Sequence, residues 1–387
     1  MKTQVPYSST GKIGKSILLS LPMLLLTFMF ITGGRPNFSG TSQLVSFFVT
    51  FIFFNVLFFL SLYTGKTDRY RAIGFIAMAL FFAFVFIVNL VKMRGSMAFS
   101  NENLLSCEIP FCHIVSTMVI IPIALTKSII FPGSILNGFA SIATMFVIVI
   151  GVSLALGRGF CSWGCFYGGW DEGTSRILKR PVIKKMNPKW RWFSFAFLLI
   201  IALFSAITLA PQYCNWFCPF KTVTEFEKIT SVETFFKTLV FVSLFLGLVL
   251  ILPLLTKKRV QCGTFCPMGA LMSFTNKINP FEVKIDKEKC NDCKSCSRVC
   301  PTFSIGNYGS AKEGPGFTCT KCGKCIDTCT KGALYYHIKG TPEKKGFSAG
   351  RLLFLYPAFT LLVVFAGGNI MYGIVLLFKL VSTGSLL

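Results

Sequence analysis

Long, unbroken apolar runs set between short polar segments organise this chain. Residues 1–15 are polar and carry Lys2, Lys12 and Lys15, and residues 16–32 are then almost wholly apolar. Similar runs cover 43–63, 72–91, 139–156, 192–209, 235–255 and 352–378, the last read as one long span or as a tight hairpin at Gly367-Gly368. Runs that are apolar on every side for about 20 residues match helices that cross a bilayer. The first run exceeds a secretory signal core, and Gly33-Gly34-Arg35-Pro36 is a poor small-residue cleavage site, so it is read as a retained span. Residues 114–130 differ, because Pro122 and Lys127 interrupt the run and Pro132-Gly133 ends it. Proline removes a ladder hydrogen bond and a lysine deep in lipid is costly, so a re-entrant or broken helix buried in protein is expected there. The pattern predicts an α-helical polytopic membrane protein with about seven spans plus one re-entrant segment.

Composition agrees and charge adds orientation. The chain has 387 residues, 53% hydrophobic and 14% charged, with 43 Phe and a mean hydropathy of +0.65. In a soluble protein a net charge of +24 would suggest nucleic acid. Here no nucleic acid is expected, since basic loops kept on the cytoplasmic side account for it. Residues 157–191 hold eight Lys/Arg against two acids, and 256–350 hold sixteen against seven. Both segments, the N-terminus and the 64–71 loop are therefore placed in the cytoplasm, and the nearly neutral 93–113 and 212–232 outside. These placements agree only if 114–130 does not cross, which leaves the C-terminus out. The rival topology lets that run cross and exports two basic segments.

Within 256–350 the apolar pattern lapses and cysteines take over. One run reads Cys290-x2-Cys293-x2-Cys296-x3-Cys300-Pro301, and seventeen residues later comes Cys319-x2-Cys322-x2-Cys325-x3-Cys329. Each is a bacterial ferredoxin ligand run, and in such pairs the fourth cysteine of each run ligates the other cluster. Cys290, Cys293, Cys296 and Cys329 are expected to hold one [4Fe-4S] cluster, and Cys319, Cys322, Cys325 and Cys300 a second. Thr330 stands where the second run usually has Pro. Zinc sites favour paired Cys-x-x-Cys motifs rather than two runs of four, and fit less well. Cluster assembly also needs a reducing compartment. The soluble part is thus an α+β bacterial 2[4Fe-4S] ferredoxin-like module inserted before the last span. Three domains are expected: a membrane domain over 1–260, the cytoplasmic ferredoxin module with its linkers over 261–346, and a C-terminal transmembrane segment over 347–387.

Eight cysteines remain. The topology places Cys161, Cys165, Cys262 and Cys266 at the inner face, and Cys107, Cys112, Cys214 and Cys218 at the outer face. Cys161-Ser162-Trp163-Gly164-Cys165 and Cys262-Gly263-Thr264-Phe265-Cys266 resemble each other, each with a Gly seven residues after its first Cys, at Gly168 and Gly269. Four thiolates per group is the ligand count of one cluster, so up to two further iron–sulfur clusters are expected, one near each membrane face. With the ferredoxin pair they would form a wire across the bilayer. Disulfides at the outer face, redox-active dithiols and a Cu(I) site remain open. Cys107-x4-Cys112-His113 lacks the two-residue spacing of a haem attachment motif. Lys127 suits either a quinone headgroup or snorkelling to an interface. Trp163, Trp170, Trp190, Trp192 and Trp216 flank the proposed sites and are expected mostly in the interfacial belt, with His337 on the surface.

Spans, Cys-x3-Cys-Pro motifs at Cys214–Pro219 and Cys262–Pro267, the variant at Gly157–Cys161 and the double run from Cys290 to Cys329 together resemble the NapH/NosR type of membrane polyferredoxin. The resemblance covers about residues 138–335. It departs in the Cys107/Cys112 motif, in the extra N-terminal spans and in Phe166, which stands in place of Pro. It implies a multi-pass protein of a bacterial-type inner membrane that conducts electrons between a cytoplasmic or quinol donor and a partner on the outer face. Redox partner proteins on both membrane faces, and the quinone pool, would supply the terminal chemistry. Two other readings are a copper- or dithiol-reducing assembly factor for a respiratory enzyme, by resemblance to a copper-reducing polyferredoxin family, and a redox-sensing membrane anchor. No dinucleotide-binding glycine fingerprint is present.

Overall fold

A computed structural model describes residues 9–34, 38, 40–95, 114, 117–118, 142–224, 229, 231–305, 313–342 and 349–385. The chain opens with three long helices, α1 (Ser9–Thr32), α2 (Thr41–Thr64) and α3 (Thr67–Gly95). A tight turn joins α2 to α3, with Gly65 at φ +76°, a conformation only glycine adopts without strain. Then come α4 (Ile142–Ala155), α5 (Phe166–Ile177), α6 (Phe193–Thr208) and α7 (Val232–Leu244). Helix α7 runs on through a π-helical stretch, Phe245–Ile251, into Leu252–Thr256, and Ser231 and Thr234 close its N-terminus in a capping box. The rest comprises α8 (Pro267–Thr275), β1 (Phe281–Ile285), α9 (Ser295–Val299), α10 (Lys324–Thr328), β2 (Leu334–Ile338) and α11 (Ala349–Thr383).

Six helices among the described residues are long and apolar enough to cross a membrane: Ile13–Thr32, Thr41–Thr64, Thr67–Val88, Pro188–Thr208, Val232–Thr256 and Ala349–Thr383. The protein is a multi-pass membrane protein. The run at 139–156, expected as a seventh crossing, forms the 14-residue α4. Residues 139–141 and most of the expected re-entrant segment, Lys127 included, lie outside the described residues. The choice left open at Gly367-Gly368 goes to one helix, since α11 is continuous over 35 residues. Gly367 serves packing rather than a turn: a Cβ there would stand 3.1 Å from Ile31 of α1.

Helices α1, α2, α3 and α11 pack around a core that includes Phe54, Phe58, Phe75, Phe354 and Phe359. The ferredoxin-like part stands on the α2/α3 turn and on the start of α11. Its two strands pair antiparallel from Phe281↔Ile338 to Ile285↔Leu334. Tyr336 stacks on Phe354 with centroids 4.5 Å apart, and Phe281 meets the same ring at 5.5 Å. The Asp327 carboxylate accepts from the Thr67 and Asp68 amides at 3.1 and 2.8 Å, capping α3 from the module side. His337, expected on the surface, is 6% exposed.

Candidate functional site

The ferredoxin loops carry their geometry in the backbone. Asp292 and Lys294 have φ of +53° and +56°, and the matching positions of the second run, Lys321 and Gly323, have +51° and +86°. Left-handed residues two and four positions after the first cysteine curl each loop inward, at a cost of about 1–2 kcal/mol per non-glycine residue. Backbone amides then reach sulfur: Asp292 N to Cys290 Sγ at 3.4 Å, Ser304 N to Cys300 Sγ at 3.2 Å, Lys321 N to Cys319 Sγ at 3.4 Å and Ala333 N to Cys329 Sγ at 3.3 Å.

Cys300, Cys319, Cys322 and Cys325 line one small cavity with Val283 and Ile305. Cys296 lies beside Cys290 and Cys329; burial pushes its thiol up, and those two neighbours add to the effect. Cys293 is exposed. Cys300 of the first run thus lies with Cys319, Cys322 and Cys325 of the second, and Cys329 lies near Cys290 and Cys296. Burial also pushes Cys325 up, and both its own group and Cys296 contribute, so the two groups are neighbours.

A third group is buried under the module. Cys161, Cys165, Cys262 and Cys266 line one small cavity with Ile114, Tyr167, Phe220, Gln261, Met268 and Gly269. Cys161 sits in a single helical turn, Phe160–Trp163, and Cys262 in a π-helical turn, Gln261–Phe265. Cys165 and Cys266 are the N-cap residues of α5 and α8; burial pushes both thiols up, and backbone amides at the helix starts partly offset it. Residues 261–279 thus pack with the membrane helices. Among the described residues, no three of His, Cys, Asp and Glu converge as a single metal ion would require. Tetrahedral zinc at about 2.3 Å from each sulfur would draw the sulfurs within about 4 Å of one another. These thiols instead ring cavities, which suits a multi-atom cluster.

Arginines surround this third cavity, and sequence reading counted them only as loop charge. Arg71, Arg158 and Arg259 are fully buried. Arg71 pairs with Asp68 at 2.7 Å and Glu172 at 3.1 Å. Arg176 pairs with the same two acids, and Arg259 approaches Glu172 at 3.6 Å. Burial would raise Glu172, but Arg71, Arg176 and Arg259 hold it well below the usual carboxylate range. Asp171 accepts from the Cys262 amide at 2.8 Å, and burial pushes it up to about 7.

Two contacts join the second and third cavities directly. Arg71 donates to Cys322 O at 3.1 Å and to Ser162 O at 2.8 Å, bridging the two cysteine-bearing loops. Trp163 Nε1 donates to Lys321 O at 3.3 Å. Trp163, expected among interfacial tryptophans, is fully buried, edge-on to Phe354 and Phe359, whereas Trp190 and Trp192 are exposed. Lys321 Nζ donates to Leu156 O at 2.9 Å, Asn276 Oδ1 at 2.6 Å and Asn279 Oδ1 at 3.0 Å, while burial lowers it to about 7.

The Cys214/Cys218 motif was expected at the opposite face. Its backbone repeats the others, with a π-helical turn, Tyr213–Phe217, leading into extended Cys218. Yet Cys218 packs in the same buried apolar cluster as Cys161 and Cys165. Gln261 donates to Tyr213 Oη at 3.3 Å across that cluster. Cys107 and Cys112, the expected partners of this motif, lie outside the described residues.

Family models agree with the cysteine pattern. A 4Fe-4S dicluster domain matches residues 282–343. A 4Fe-4S binding domain matches three times, at 138–185, 190–228 and 238–286, once around each membrane Cys-x3-Cys motif. Escherichia coli YccM, provisionally named an electron transport protein, is 25% identical over 231 residues, 56% of this chain and 61% of that protein. The ferredoxin-type protein NapH of Escherichia coli is 26% identical over 200 residues, half of this chain and 67% of NapH. The regulatory protein NosR of Pseudomonas aeruginosa is 25% identical over 181 residues, 44% of this chain and 24% of NosR. The chain therefore spans less than two thirds of YccM and about a quarter of NosR. No solved structure matches it.

Proposed function

Starting from a chain that is a relative of the NapH/NosR type of membrane polyferredoxin, we propose that it conducts electrons between its ferredoxin module and a buried membrane site. Cys290, Cys293, Cys296 and Cys329 hold one [4Fe-4S] cluster, Cys319, Cys322, Cys325 and Cys300 a second, and Cys161, Cys165, Cys262 and Cys266 a third. Bound iron–sulfur clusters supply reversible one-electron storage. The protein's part is to supply the thiolates, point amides at them, exclude water and fix their order. The order follows exposure, from exposed Cys293 at one end to the enclosed cavity of Cys161 and Cys262 at the other.

The observation that carries this reading is the direct junction between the second and third cavities. Arg71 spans Ser162 and Cys322, and Trp163 reaches Lys321. A structural anchor would not need to bond two cysteine loops to each other across a domain boundary. The basic loops place the module in the cytoplasm, where a soluble redox partner meets the Cys293 end. The membrane end serves the quinone pool or a partner on the outer face, with Cys214 and Cys218 on that side of the route. Within the domain scheme 1–260, 261–346 and 347–387, the module proper begins after Asn279, because Cys262–Thr275 belongs to the buried cavity.

The test is iron and acid-labile sulfide per chain on protein purified anaerobically in detergent. Each cubane carries four irons. The ferredoxin pair alone gives about eight, and the third site raises the count to about twelve or more. A content that stays near eight refutes a cluster in the buried cavity. The membrane thiols would then be dithiols or a copper site.

A further inference from the structure

The third cavity contains a charge problem that points to two residues. Arg158 is fully buried. Its guanidinium donates to Ser273 Oγ at 2.7 Å and to Cys262 O at 3.1 Å, both neutral acceptors. Among the described residues it pairs with no carboxylate, and its Nε has no partner. A buried cation without an anion is among the costliest features a fold can carry. The groups available to balance it are the four thiols of the cavity.

Arg259 occupies the equivalent place. Each arginine stands three residues before the first cysteine of its motif, Arg158 before Cys161 and Arg259 before Cys262. They cross over. Arg158 reaches the carbonyl of Cys262, while Arg259 donates to the carbonyl of Cys161, to Ser162 Oγ at 2.6 Å and to Cys262 Sγ at 3.4 Å. The two glycines seven residues after the first cysteines make room for this exchange. A Cβ on Gly168 would strike Cys161 O and stand 2.5 Å from Arg259 Nη2; one on Gly269 would stand 2.9 Å from Cys262 O and 3.4 Å from Arg158 Nη2. The third motif has Pro211 and Lys221 at these two positions, so it lacks both halves of the device.

We propose that Arg158 and Arg259 are the positioning and charge-balancing residues of the four-cysteine cavity, each guanidinium crossing a local pseudo-two-fold to the backbone carbonyl of the other motif's first cysteine. The inference rests on the reading of that cavity as a cluster site. A four-thiolate cluster is anionic and gains one more negative charge on reduction. Fixed guanidinium charges therefore stabilise the reduced form more than the oxidised one and raise the reduction potential. Asp171 and Glu172 oppose this from α5, but Arg71 and Arg176 largely engage Glu172.

The experiment uses the full chain in detergent under anaerobic conditions, with iron content and an EPR redox titration as readouts. Wild-type iron comes first. A content at the ferredoxin level alone removes the cluster reading and this inference together. With iron above that level, Arg158→Gln and Arg259→Gln should each lower the midpoint of the membrane cluster's signal and leave the ferredoxin signals in place. The expected loss is at least tenfold in reduced-to-oxidised ratio at fixed potential, about 59 mV for one electron. Gly168→Ala, which displaces Arg259, should follow Arg259→Gln, and Arg259→Lys should recover part of the shift. Loss of membrane iron in the Gln variants, restored in the Lys variants, also supports the proposal. Unchanged midpoints in both Gln variants overturn it while leaving the cluster reading intact, and so does equal iron loss in Gln and Lys variants.

Discussion

Arg71→Met tests the junction on which the electron-transfer reading stands. Arg71 is buried, binds two carboxylates and bridges Ser162 O to Cys322 O. Breaking a buried ion network by removing one member costs about 3–5 kcal/mol. The lower end applies here, because the abandoned acids are not left alone. Asp68 keeps Arg176 at 2.7 Å, and Glu172 keeps Arg176 and, at 3.6 Å, Arg259. Methionine fills most of the side chain's volume, and the contact it gives up with Phe75 is the guanidinium carbon's, 5.5 Å from the ring centre. A loss of about 3 kcal/mol concentrated at the junction corresponds to roughly a 100-fold rise in local opening. Hydrogen-exchange mass spectrometry on the full chain in detergent reads this segment by segment, so no two-state assumption is needed. Peptides over 160–165 and 320–325 should exchange about 100-fold faster. Peptides from α1 and from β1 should not change. Arg71→Lys should fall between, since it keeps the charge and loses the fork. Less than a threefold change at both junction segments, or equal acceleration everywhere, would sink the claim that Arg71 couples the two cavities.

Three further outcomes follow from the same geometry. Cys293→Ala should remove about four irons and spare the membrane fold, since Cys293 is exposed and contributes little packing; unchanged iron would show the ligand grouping to be wrong. Cys165→Ala should remove the membrane cluster and leave the ferredoxin spectrum as it was, and an unaltered cluster spectrum would favour a dithiol at this position. Lys321→Met gives up three bonds, to Leu156 O, Asn276 Oδ1 and Asn279 Oδ1, yet it also removes the cost of burying an ammonium. The three acceptors keep other donors in Gly159 N, Arg158 N and Phe281 N. The net loss should be only about 1–2 kcal/mol, seen as bleaching of the ferredoxin absorbance a few degrees earlier on heating; no shift, or loss of the module at all temperatures, would count against this balance.

The parts of this molecule legible in the sequence are those with short-range signatures. Apolar runs gave six membrane-capable helices, because crossing lipid demands an all-round apolar surface that any window reveals. The spacing of Cys290–Cys300 and Cys319–Cys329 marked a 4Fe-4S dicluster region that the family model also matches, because loop wrapping around a cluster is encoded within ten residues. What was not legible depends on distant pairings. Arg158, Arg176 and Arg191 entered the sequence reading as cytoplasmic loop charge. In the structure Arg158 and Arg191 are buried, and all three bind partners far along the chain or within ion networks. Trp163 carried the composition of an interfacial residue, and only the packing of α11 against it shows why it lies at the junction. The shared Gly168 and Gly269 were visible as a pattern, but the reason for them, an arginine from the other motif, needed three dimensions.

The three Cys-x3-Cys motifs bear on how this architecture divides its labour. All three match the same 4Fe-4S binding domain and share one local backbone, a short helical turn ending in an extended cysteine. Two of them carry an arginine before and a glycine after, and these two build an enclosed, charge-balanced cavity. The third has Pro211 and Lys221 instead, so neither the donor nor the space for a donor is present. Cys214 and Cys218 nevertheless pack into the cluster that lines the cavity, with Tyr213 bonded to Gln261 beside Cys262. A repeat that keeps the thiols without this arginine and glycine pair is not a third copy of the paired cavity. Its thiols lie beside that cavity in one apolar cluster, where the next carrier on a route through the membrane domain would be expected.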